Sequence, residues 1–246
     1  LRQKLNKDAV HDIRVAIKKL RAWLELFHRC RSQQDPHLPP PEDLLLHTGH
    51  LFDIIGRHRD VEICLEQMAD LKKKEGLACP PFTNYLNNLL KTTGGWANEA
   101  IHRYRNKELP RIHFLLKQEA ASLPCEDTCK SQIVSLTNEL PARISRPHQL
   151  RKALKIIYYW IFLLEDKSPF QPDHLHKLLD DLGRWQDLEV LHQRMRHFRK
   201  DYLPKPLEEF ALLKKIEELL ADRKKDLENR IKQQTRKWKR EVKESA

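Results

Sequence analysis

Glycine is scarce, with six residues in a chain of 246. Tight β-hairpin turns depend on glycine, so a fold built on many short strands is disfavoured. Long apolar runs are missing as well. The longest, Ile156 to Leu164, has nine residues, far fewer than the roughly 20 that cross a bilayer as a helix. The five cysteines, Cys30, Cys64, Cys79, Cys125 and Cys129, are odd in number and irregular in spacing. Cys125 and Cys129 are four apart, so the C-x-x-C of a zinc or redox site is lacking, and reduced thiols are expected. No glycine-rich phosphate loop or nucleophile elbow is present. The opening residues have no signal-peptide pattern, and a cytoplasmic location is expected.

Charge, by contrast, is abundant. Charged residues make up 33% of the chain, with 46 Lys and Arg against 35 Asp and Glu, a net +11. Such an excess attracts polyanions (nucleic acid, acidic membranes, polyphosphate) without choosing among them. Hydrophobic residues at 40% supply enough for a globular core.

The apolar residues recur with helical periodicity almost throughout, which predicts an all-α protein. A first helix is expected from Asp8 to Cys30, capped by Asn6 or Asp8. A proline-rich linker, Gln33 to Pro41, follows. Further helices are expected from Glu42 to Ile55, stopped by Gly56, and from Asp60, as a cap, to Gly76. Another starts at Pro80-Pro81, weakens at Gly94-Gly95 and bends or breaks near Pro110. After Pro124 the pattern restarts. Helices are expected over Thr128 to Leu140, from Pro147 to Asp166, and as a short one ending at Gly183. The next opens at Asp187 and ends near Pro204, and a long charged helix begins at Leu207.

The restart is an internal repeat. His11, Arg14, Ala16 and Lys18 correspond to His148, Arg151, Ala153 and Lys155, at an offset of 137 residues. Gly56, Arg57, Asp60 and Glu62 correspond to Gly183, Arg184, Asp187 and Glu189, at an offset of 127. One domain of two related halves, 1–122 and 123–246, is therefore expected.

At roughly 100° per residue, His11, Arg14, Lys18 and Arg21 share a stripe about 80° wide. Ile13, Ile17, Leu20, Leu24 and Phe27 form the opposite, core-facing side. In the second half His148, Arg151 and Lys155 repeat the stripe, and Tyr158 stands where the first half has Arg21. A row of like charges on one helix is unfavourable by itself. A phosphate chain offers the compensating charge, with Arg binding two oxygens at once and Lys acting as a point charge. The plain alternative for either stripe is a solvated helix face.

His11-Asp-Ile-Arg14-Val-Ala-Ile-Lys18-Lys-Leu-Arg21 resembles the opening motif of the CHAD family, the conserved-histidine α-helical domain. Ile55-Gly56-Arg57-His-Arg59-Asp60-Val-Glu-Ile63 resembles its second element. His148-Gln-Leu-Arg151-Lys-Ala-Leu-Lys155 and Leu182-Gly183-Arg184-Trp-Gln-Asp187-Leu-Glu-Val190 resemble the second-half copies. The resemblance implies two antiparallel four-helix bundles about a pseudo-twofold axis, with a basic central channel that binds inorganic polyphosphate. The site residues it implies are His11, Arg14, Lys18, Arg21, His148, Arg151 and Lys155, with Arg57, Arg59 and Arg184 as further positions. Asp60 and Asp187 are read first as helix caps and second as partners of those arginines. Departures at Ile156, Tyr158 and Gln186 predict a less charged second half. The resemblance further implies polyphosphate granules, or enzymes of polyphosphate metabolism, as the cellular setting.

Non-specific nucleic-acid binding is the alternative function. It rests on Arg196, His197, Arg199 and Lys200, and on Arg223 to Lys243, which holds ten Lys or Arg against three acids. No catalytic role is expected. His58-Arg59-Asp60 imitates a kinase triplet without its sequence context, and His11-Asp12 lacks the companions of a phosphohydrolase metal site. His47 with His50, and His174 with His176, lack a third metal ligand at suitable spacing. No cofactor or metal is expected.

Overall fold

The structure, a computed structural model, describes residues 6–31, 45–110, 112–113, 126–140, 147–163 and 172–245. Among them the chain is all-helical, with no strand. The helices are α1 (Lys7–Arg31), α2 (Leu46–Glu75), α3 (Pro80–Arg103), α4 (Glu126–Glu139), α5 (Pro147–Leu163), α6 (Pro172–Asp201) and α7 (Glu208–Ser245). The proline-rich linker and Cys125 lie outside the described residues.

Local signals set many of the ends. Asn6 Oδ1 accepts from the Asp8 amide at 2.9 Å, so Asn6 is the cap of α1. Gly76 ends α2 in the left-handed region, with φ of 68°. Pro80 and Pro81 occupy the first turn of α3, where their missing N–H groups cost little. A π-helical turn, Tyr104–Glu108, follows α3 and precedes Pro110. Proline cannot donate to the carbonyl four residues back, and a widened turn is one way a helix absorbs this.

Two expected helix breaks are not breaks. Gly56 and Asp60 lie inside the continuous α2, and Gly183 and Asp187 inside the continuous α6. The two glycines therefore stop nothing, and the two aspartates cap nothing. Each helix buries different faces in successive cores, so neither shows one unbroken apolar stripe, and the shift looks like an ending.

The cores make this concrete. Val10 and Ile17 of α1 pack with Leu51 and Ile55 of α2 and Ala97 of α3. Farther along α2, Val61, Cys64, Met68 and Leu71 join Phe82 and Leu86 of α3, Leu191 and Met195 of α6, and Ile216 of α7. A third cluster joins Ala22 and Leu26 of α1 to Ile133 of α4, Trp160 of α5, Leu178 and Leu182 of α6, and Trp238 of α7. The Trp160 indole donates to the Ala22 carbonyl at 2.6 Å, tying α5 to α1. Two of the three cores thus draw on both halves of the repeat. Between them, residues 56–60 of α2 and 183–190 of α6 carry the polar groups described next.

Candidate functional site

α1 lies across α2, and its cationic stripe meets a face of α2 bearing Gly49, Phe52 and Gly56. These residues, three and four apart, follow one another along one side of the helix. The Phe52 ring carries three cations. Its centroid is 4.3 Å from Arg14 Cζ, 4.8 Å from Arg21 Cζ and 5.8 Å from Lys18 Nζ. Cations over an aromatic face are attracted by its quadrupole. Arg14 Nη1 also donates to the Phe52 carbonyl at 3.0 Å. A β-carbon at Gly56 would stand 2.6 Å from Arg14 Nη1, and one at Gly49 would stand 3.1 Å from Arg21 Nη2. The glycines let the guanidinium groups approach the helix backbone.

The second half repeats part of this contact. Arg151 Nη2 lies 4.0 Å from where a β-carbon of Gly183 would be. Lys155 Nζ lies 5.3 Å from the Tyr158 ring centroid and 5.9 Å from that of Tyr159.

Electrostatics join the two sets. Burial, reinforced by Arg151, Arg14 and Lys155, pushes the Lys18 ammonium down to about 7, against the pull of Asp187. Burial likewise lowers Arg14, opposed by Asp60 and reinforced by Arg151 and Arg59. Lys155 is lowered by burial and by Arg151, with Asp180 opposing. The carboxylates show the converse. Burial raises Asp60, although Arg14, Arg194 and Arg59 pull it down. Burial raises Asp187 to about 6, against Arg151 and Arg59 and with Asp60 and Glu66 adding to the rise. Cations of α1, α2, α5 and α6 therefore share one half-buried space with two carboxylates. A group left charged there is stabilised by an added opposite charge far more than it would be in water.

Of the residues expected from the sequence, Arg14, Lys18, Arg21, Arg151, Lys155 and Arg59 lie in or beside this space. Arg59 is half-buried and held by Glu62 at 3.2 Å and Glu66 at 3.5 Å. His11 and His148 are exposed near the starts of their helices, and His148 Nδ1 meets Gln186 Oε1 at 2.8 Å. Arg57 is exposed. Arg184 lines a cleft of about 370 Å³ with Arg223, Arg230 and Asp187, and sits 3.7 Å from Asp181.

Phe52, Gly49 and Arg194 were not singled out from the sequence. Arg194 left no repeat signal, because its equivalent at the offset of 127 is Gln67. The aspartates were read first as helix caps, which they are not, and second as partners of arginines, which act on both of them. Their place opposite the arginines is a tertiary feature.

The other candidate groups are arranged differently. Arg230 binds Asp181 at 3.1 Å, Arg223 binds Glu75 at 2.5 Å, and Lys224 pairs with Glu189. Lys239 donates to the Leu140 carbonyl at 2.5 Å. These cations of the basic α7 run hold α7 to its neighbours. His47 and His50 line a pocket with Trp96 and Tyr104, and His174 and His176 meet Glu241 and Asp180. Among the described residues, no three His, Cys, Asp or Glu side chains converge as a metal site. No described helix is long and apolar enough to cross a membrane.

The family model for the CHAD domain matches residues 1–196. The chain belongs to the CHAD family. The matched stretch contains α1 to α5 and most of α6, and with them every helix of the cationic site. It ends before α7, although α7 completes two of the three CHAD cores. No curated protein and no solved structure matches the chain.

Proposed function

We propose that this CHAD protein binds inorganic polyphosphate, without turning it over, in a basic channel formed where the two repeats meet. Lys18 carries the proposal. It is brought into a half-buried space with Arg14, Arg151 and Lys155, and its affinity for a proton falls to about 7. Assembling these cations costs both hydration and mutual repulsion. An anion with many charges removes both penalties. Arg14, Lys18 and Arg21 follow one another about one helical turn apart, roughly 5 Å. That spacing suits a ligand with a charge on every repeating unit.

The paired contacts, Arg14 on Gly56 and Arg151 on Gly183, support two pseudo-twofold-related bundles lining one channel. Ligands from the first half dominate, since Arg21 and Arg59 face Tyr158 and Gln186 as repeat equivalents. His11 and His148 would receive the chain at the rim rather than within. A nucleic-acid duplex is too wide to bring its phosphates down onto half-buried groups, and several α7 cations, among them Arg223, Lys224, Arg230 and Lys239, are engaged with neighbouring elements. Cytoplasmic polyphosphate granules, or regulation of polyphosphate-metabolising enzymes, are the cellular roles consistent with this reading.

The test is a titration with long-chain polyphosphate, competed with duplex DNA and with RNA at near-physiological salt. Polyphosphate is expected to win, and affinity to drop steeply as salt rises. Equal competition by duplex DNA would replace the channel with a general basic surface. Orthophosphate released by the purified protein would refute binding without turnover.

A further inference from the structure

Arg199, five residues beyond Arg194 on α6, forms a two-pronged pair with Glu217 at 2.7 and 3.0 Å. Arg194 Nε, in contrast, is buried without a hydrogen-bond partner among the described residues. The same is true of Arg151 Nε, which belongs to the cationic site. A buried donor with no acceptor is destabilising and uncommon, more so on a charged group.

Position explains where the missing acceptor belongs. Arg194 follows Asp187 by seven residues on α6, as Gln67 follows Asp60 on α2. Seven residues are two helical turns, so each pair shares a face. α2 and α6 pack against each other. Arg194 thereby comes within electrostatic reach of Asp60, together with Arg14 and Arg59. It also acts on Cys64 and Tyr85, which places it where α2, α3 and α6 meet. Three arginines from three helices act on one carboxylate, and that carboxylate makes no hydrogen bond to Arg194 that would satisfy its Nε.

We infer that Arg194 is a further phosphate-binding residue of the site, and that Asp60 stands in for a phosphate among Arg14, Arg59 and Arg194 while the protein is empty. This rests on the polyphosphate reading and extends it by one residue and one competing carboxylate. A bound chain would supply oxygen acceptors to the guanidinium of Arg194 and displace the Asp60 carboxylate from its role as counter-charge. Burial already raises the Asp60 carboxyl above its ordinary range, and a second anion beside it would raise it further.

The experiment is a long-chain polyphosphate titration across a salt series, with thermal melts of each protein. Arg194→Gln copies the residue that the first repeat carries at the equivalent position. It is expected to weaken binding about tenfold, since hydrogen bonds to charged groups are the stronger class. The slope of log affinity against log salt should become shallower by about 0.7, the value for one fewer phosphate contact on a single strand. Arg194→Lys should keep the slope and lose part of the affinity, because it keeps the charge without the planar fork. Asp60→Asn should tighten binding.

An unchanged salt slope for Arg194→Gln overturns the inference, whether or not its melting temperature falls. Weaker binding by Asp60→Asn overturns the stand-in role. If the wild-type protein binds polyphosphate and Arg194→Gln matches it, only the inference fails. If the wild-type protein does not bind polyphosphate, the underlying reading fails and takes the inference with it.

Discussion

Arg14 lies so close to Gly56 that a β-carbon there would stand 2.6 Å from its Nη1, whereas the equivalent distance from Gly183 to Arg151 Nη2 is 4.0 Å. The atom obstructed at Gly56 is the far end of a flexible side chain, so the fold itself need not shift. Gly56→Ala gains helix propensity of up to about 1 kcal/mol and loses the Arg14 hydrogen bond to Phe52, worth roughly 1.5–3 kcal/mol for a charged donor. Stability is expected to fall by no more than about 2 kcal/mol while polyphosphate affinity falls several-fold. Gly183→Ala meets no obstruction and should gain about 0.8–1.0 kcal/mol with affinity unchanged. Melts and titrations of the two variants separate the cases, and equal effects on affinity would refute the cradle.

Lys18 should oppose the stability of the empty protein. Lys18→Met keeps the unbranched stem and removes a buried cation crowded by three others. The ligand-free protein is expected to gain about 1 kcal/mol, a rise of roughly 2–4 °C in melting temperature at this size. Polyphosphate affinity should fall at the same time, the trade expected of a functional group held in an unfavourable place. A lower melting temperature would mean that Lys18 is structural.

Binding should take up protons near neutral pH. The folded Lys18 value of about 7 lies below its ordinary 10.5, so its destabilising effect is full below pH 7 and declines as pH rises toward 10.5. The folded Asp187 value of about 6 lies above its ordinary 3.8, so its effect is absent below 3.8 and full above 6. A bound polyanion favours charged Lys18 and uncharged Asp187, and both changes consume protons. Affinity is therefore expected to fall as pH rises from 6 to 9. Calorimetry in two buffers of different ionisation enthalpy measures the uptake, and net proton release would contradict it.

Phe52 should matter more for the ligand than for the fold. Phe52→Leu retains an apolar side chain but removes the ring that orients Arg14, Lys18 and Arg21. Cation–π contacts contribute about 0.5–1 kcal/mol each at partly exposed sites. A loss of roughly 3- to 10-fold in polyphosphate affinity is expected, with a stability cost of about 1 kcal/mol. Unchanged affinity would show that the three cations need no platform.

The two repeats should not fold separately. Residues 123–246 alone would leave Leu191, Met195 and Ile216 without Val61, Met68 and Phe82, and Trp160 without the Ala22 carbonyl. Circular dichroism of that fragment is expected to show no cooperative melt. A sharp transition would mean that each half carries a sufficient core.

The amino-acid sequence by itself determined the helical class, the duplication, and the presence of two cationic stripes. These are local or near-local properties: glycine content, apolar spacing along one helix, and motif recurrence at fixed offsets. It misplaced the glycines and aspartates of α2 and α6, because periodicity reports one buried face at a time and these helices bury different faces in successive cores. A further repeat trace lay unused in the two methionines, Met68 and Met195, which are also 127 residues apart and share one core. Only the tertiary structure decided that Gly49 and Gly56 receive guanidinium groups, that Asp60 and Asp187 face arginines, and that Arg194 joins them. Most of those relationships join residues tens to more than a hundred positions apart, and the charge a buried group can hold depends on which neighbours the packing brings.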